Sequence, residues 1–80
     1  MSEQYSYEFT GRRPSKAQVI KALKQGIKQG AVDISIDWGE NWLRFERVKD
    51  WTGRFCWNGY GWLRSLGGDS IAQQLNRGSI

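Results

Sequence analysis

Residues that could carry out chemistry are few in this chain and poorly grouped. Histidine is absent from all 80 positions, which removes the Ser-His-Asp triad, the Cys-His dyad and imidazole-ligated zinc or haem together. Cys56 is the single cysteine. Without a disulfide partner it reads as a small hydrophobe buried in a hairpin, and it fits a reducing compartment. Asp33, Asp37 and Glu40 could meet at the end of a strand as a carboxylate pair or a hard-cation site, yet acids alternating along a strand usually form its solvated face. Gly59-x-Gly61 and Gly67-Gly68 lack the Gly-Lys-Ser/Thr element of a phosphate loop and read as turn glycines. The expectation is a protein that is not an enzyme and takes no cofactor and no metal.

Contact chemistry is better represented. Five tryptophans, Trp38, Trp42, Trp51, Trp57 and Trp62, fall within one stretch, with Arg44, Arg47, Arg54 and Arg64 interleaved. A domain of this size buries only about 60–65 % of the surface of its unfolded chain. Each aromatic needs about 150–250 Å² of cover, so not every indole fits inside. Cross-strand aromatic pairs can also simply stiffen a small sheet. Exposed aromatics beside arginines are nonetheless what interaction surfaces are enriched in. Trp42, Arg44, Trp51, Arg54 and Trp57 are therefore the candidate partner contacts, with Trp42 and Trp51 as the exposed pair.

Charge is segregated as well. The chain carries a formal +4, and the stretch from 11 to 31 holds Arg12, Arg13, Lys16, Lys21, Lys24 and Lys28 without one acid. These six are candidates for neutralising phosphates, or else a solvated face that confers solubility.

The elements that must position these residues follow from periodicity. Tyr5, Tyr7 and Phe9 alternate with polar residues as a strand over 4–10. Ser15 and Gln18 form a capping-box pair ahead of an amphipathic helix with Val19, Ile20, Leu23 and Ile27 on one face and Gly30 as its left-handed stop. Val32, Ile34 and Ile36 mark a second strand. Gly39-Glu40 makes a tight turn into a third strand carrying Leu43 and Phe45. Asn58-Gly59, the strongest short hairpin signal, predicts a turn between strands at 54–57 and 60–64. Ser70 and Gln73 repeat the capping-box spacing before a short helix closed by Gly78. The expected fold is a single α+β domain over 1–80: a small antiparallel sheet of about four or five strands with two helices on one face, in the order β-α-β-β-β-β-α. No run approaches the roughly 18 apolar residues of a membrane span, and MSEQYSYEF lacks the order of a secretory signal. The cytosol is the expected compartment.

The order helix, three strands, helix resembles a double-stranded-RNA-binding domain. That family's basic motif at the start of the last helix would fall on Gly67-Gly68-Asp69-Ser70, which has no lysine, so no binding residue carries over. With FCWNGYGW, DWGENW and RRPSKAQ on a chain empty of catalytic groups, the protein also resembles in type the small phage- or plasmid-borne inhibitors of host defence, anti-CRISPR proteins among them. That resemblance implies a non-enzymatic binder that blocks a surface of a larger, nucleic-acid-handling complex. Two alternatives stand beside it: direct nucleic-acid binding by the basic helix and an aromatic sheet face, and a homodimer through that face.

Overall fold

The computed structural model describes residues 3–80. Seven elements follow in the expected order: β1 (Gln4–Phe9), α1 (Lys16–Lys28), β2 (Asp33–Trp38), β3 (Asn41–Lys49), β4 (Phe55–Leu63), β5 (Leu66–Gly67) and α2 (Gly68–Asn76). The five strands form one sheet in sequence order, and both helices pack on one of its faces.

The sheet is mixed rather than antiparallel. β1 runs parallel to β2, with Gln4 opposite Asp33 and Phe9 opposite Trp38. The helix between them is the reason. Its 13 residues span about 20 Å, as does a six-residue strand, so α1 carries the chain back to the end where β1 began. The capping box forms in full: the Ser15 hydroxyl accepts from the Gln18 backbone N–H, and the Gln18 side chain accepts from the Ser15 N–H at 2.8 Å. At the other end, Gly30 (φ +83°) donates to Ile27 and Ala31 donates to Gly26. This is the pair of hydrogen bonds that a left-handed residue after a helix permits.

Strand parity then builds the core. Ile34 faces Phe45 and Ile36 faces Leu43 across β2 and β3. All four are buried with Leu63, beneath Val19, Ala22 and Leu23 of α1 and Ile71 and Ala72 of α2. Gly39 (φ +58°) and Glu40 make the two-residue turn into β3.

The Asn58-Gly59 turn does not form. β4 runs unbroken from Phe55 to Leu63, and the chain reverses instead at 50–54 and at Arg64-Ser65, where Arg64 takes φ +59°. The glycine has a different task. A Cβ on Gly59 would collide with the Gly68 carbonyl and crowd Ala72, and one on Gly68 would strike the Tyr60 backbone. Glycine at both positions lets the start of α2 lie directly on β4. The same closeness explains why α2 starts at Gly68 with Gly67 as its N-cap and no capping side chain, leaving Ser70 inside the helix. Asp69 supplies a carboxylate in the first turn, where the helix dipole favours one.

Candidate functional site

Among the described residues, no helix lies on one face of the sheet. Register places its side chains in rows across the strands. Glu8, Asp37, Trp42 and Trp62 make one row, Ser6, Ser35, Arg44 and Tyr60 the next, and Gln4, Asp33, Glu46 and Asn58 a third. Each row crosses three strand spacings of about 4.8 Å, roughly 14 Å in all. The β3 and β4 half is aromatic: Trp42 is 43 % exposed, Tyr60 49 % and Trp62 66 %, far above what core residues next to them on the same strands retain. The β1 and β2 half is acidic.

Contacts within the patch gather around Trp42. Trp42 meets Tyr60 edge to face with centroids 6.2 Å apart, an arrangement that aligns ring edge with ring face charge. Gly61 (φ +94°) leaves the space in which the Trp42 ring lies, since a Cβ there would strike the indole and its carbonyl. Arg44 marks the seam between the halves. Its guanidinium pairs with Asp37 at 2.6 Å, donates to the Leu43 carbonyl at 2.9 Å and lies 5.2 Å from the Trp42 ring centre. Four carboxylates, Glu8, Asp33, Asp37 and Glu46, thus stand on this face against one arginine, on a chain whose formal charge is +4.

No protein family, curated protein or solved structure matches this chain. Its own residues therefore carry the functional reading. Of the five candidate contacts, Trp42 and Arg44 lie together on the open face. Trp51 and Arg54 sit in the β3–β4 turn; from residue 42 to residue 49 the strand rises about 3.4 Å per residue, which puts them more than about 20 Å away. Trp57 lies on the helix side, half-buried against the core, its backbone N–H and C=O held by the Asn76 side chain at 2.8 and 2.9 Å. Trp38 is also on that side, its indole N–H donating to Gly11 at 3.0 Å. Trp62 and Tyr60 join the open face without having been expected there. Reading β4 as one strand would have found them, because their parity is opposite to that of Trp57. Cys56 shares the open-face parity and is half-buried opposite Val48.

The β3–β4 turn is held by Asp50. One carboxylate oxygen accepts from the Thr52 hydroxyl and from the backbone N–H groups of Thr52 and Arg54. These bonds, the Thr52 hydroxyl foremost, hold the carboxyl below its ordinary 3.8. Among the described residues no cluster of three acidic or cysteine side chains is placed to hold a metal, and no helix is long and apolar enough to cross a membrane.

The six cations of the 11–31 stretch spread along the helix layer. Arg13 donates to Ser65 at 2.6 Å and Lys16 to Gln74 at 3.0 Å, which ties α1 to the far side of the fold. Arg12, Lys21, Lys24 and Lys28 are exposed, and among the described residues none of the six is paired with a carboxylate.

Proposed function

We propose that this chain is a non-enzymatic binding protein that lays its open sheet face on a protein surface of a larger, nucleic-acid-handling complex and blocks it stoichiometrically, in the manner of anti-CRISPR-type inhibitors. One observation carries the reading: Trp42, Tyr60 and Trp62 stand exposed side by side on a face that no helix covers, and carboxylates continue their rows. Exposed aromatics of this kind supply interface anchors, while the carboxylates select the partner. Surfaces that grip nucleic acid are cationic, and an acidic face with aromatic anchors complements them. The same carboxylates would repel a phosphate backbone, so the sheet face favours protein over nucleic acid.

Affinity capture from lysate of the source cells, with and without nuclease, tests this. Capture by the native chain should survive nuclease, and the Trp42→Ala/Trp62→Ala double variant should lose it, because truncating an interface hot spot costs about 2 kcal/mol or more. Equal capture by the double variant, with its fold intact, rejects the reading.

A second reading takes nucleic acid through Arg12, Arg13, Lys16, Lys21, Lys24 and Lys28. What favours it is that Lys21, Lys24 and Lys28 are exposed on α1 with no carboxylate partner among the described residues. Its mark would be an affinity that falls with salt at a log–log slope of about −0.9 per duplex phosphate neutralised and that is lost in Lys21→Glu/Lys24→Glu.

A further inference from the structure

A second aromatic cluster lies outside the sheet face. β2 ends its pairing with β3 at Asp33 opposite Glu46, and past the Arg47 N–H, which reaches Val32 at 2.8 Å, neither β3 nor the start of β4 has a further strand beside it among the described residues. Residues 48–56 therefore extend as a two-stranded arm, closed by the Asp50 turn. Trp51 stands at its tip, 96 % exposed, and Phe55 on its flank is 56 % exposed. For a ring the size of Trp51, exposure this complete serves no packing purpose.

The charges around these rings are the reverse of those on the sheet face. The Arg47 guanidinium lies 4.2 Å from the centre of the Phe55 ring and the Lys49 ammonium 5.3 Å from it. Arg54 follows the turn directly. The one acid of the arm, Asp50, is exposed and spends one carboxylate oxygen on the Thr52 and Arg54 N–H groups that shape the loop. Cations interleaved with exposed rings on a two-stranded ribbon are the elements of a platform for single-stranded nucleic acid. Rings stack on unpaired bases and cations follow the backbone.

We infer that the β3–β4 arm is a nucleic-acid contact, with Trp51 stacking on an unpaired base, Phe55 offering a second ring, and Arg47, Lys49 and Arg54 meeting phosphates. This site is separate from the open face and from the α1 lysines. An acidic peptide would meet the same three cations, but flat rings beside cations match the stacked bases and backbone of a single strand; failure of an oligonucleotide to bind is the outcome that points to the peptide instead.

The test is fluorescence anisotropy of a labelled oligothymidylate with the 80-residue chain. Log affinity should fall with log salt at a slope of about −2, from three cations at about −0.7 each on a single strand. Trp51→Ala should weaken binding roughly 5- to 150-fold, the range found for loss of one base-stacking ring. Its side chain is almost wholly in water, so its fold should persist, which circular dichroism checks. Lys49→Glu/Arg54→Glu should abolish binding, whereas Lys21→Glu/Lys24→Glu should leave it unchanged. The inference is overturned if the oligonucleotide does not bind, if Trp51→Ala binds as well as the native chain, or if the α1 reversal removes binding. Because none of these readouts involves Trp42 or Trp62, failure here leaves the open-face reading standing.

Discussion

Trp42, Tyr60 and Trp62 on the open sheet face and Trp51 and Phe55 on the β3–β4 arm are two aromatic clusters of one small protein with opposite surroundings. Carboxylates continue the first: Glu8, Asp33, Asp37 and Glu46 share its face, and the one arginine there is paired with Asp37. Cations enclose the second, with Arg47 and Lys49 against Phe55. An exposed ring supplies apolar area to any partner; the charges beside it decide whether that partner is basic or phosphate-bearing. The overall +4 of the chain conceals this division, because the acidic face is outweighed by lysines and arginines elsewhere.

The clusters also differ in what lies behind them, and that yields the largest expected effect. Phe45 backs the open face from within the core, whereas Phe55 projects from the arm. Phe45→Ala should lower unfolding free energy by about 3–5 kcal/mol, and Phe55→Ala by less than about 1 kcal/mol, both read from urea titrations. Similar losses at the two positions would mean that the arm is packed and not free.

Next in size is partner affinity. Trp62→Ala should cost about 2 kcal/mol or more in binding to the captured protein, while Trp51→Ala should leave that affinity within experimental error; calorimetric titration compares them. A smaller change is expected at the root of the arm. Asn76→Ala removes both bonds to the Trp57 backbone and should destabilise by about 1–2 kcal/mol, with hydrogen exchange accelerated at Trp57 but not at Trp42.

The smallest effect is on pH. The folded-state pKa of Asp50 is depressed below its ordinary 3.8, so its charged form contributes stability that is fully present above 3.8 and is lost as pH falls through the lower folded value. Asp50→Asn should therefore flatten the acid limb of the stability–pH curve in that window and leave the neutral region parallel to the native curve. An unchanged acid limb would show that the turn does not depend on this carboxylate.

Where the sequence could be read correctly, the interaction was local. The Ser15–Gln18 capping box, the Gly30 stop, the Gly39-Glu40 turn and the alternation of Ile34, Ile36, Leu43 and Phe45 each depend on neighbours a few residues away. Gly59 was misread because its reason is tertiary: α2, which begins at Gly68, needs the space a side chain would fill. A turn at Asn58-Gly59 would split β4 and lose the parity that sets Tyr60 and Trp62 on the face opposite Trp57. The arm is illegible in the sequence for a related reason. Arg47, Lys49 and Phe55 become neighbours only once β3 and β4 are paired.

Photo-crosslinking measures the central claim most directly. Tyr60→p-benzoylphenylalanine places a reactive group within the open face, and Lys24→p-benzoylphenylalanine places the same group on the outer side of α1. Irradiation in the source cells should yield a discrete, nuclease-resistant protein adduct from position 60 and none from position 24. An adduct from position 24 alone, or none from position 60, would contradict the assignment of the aromatic sheet face as the surface this protein uses.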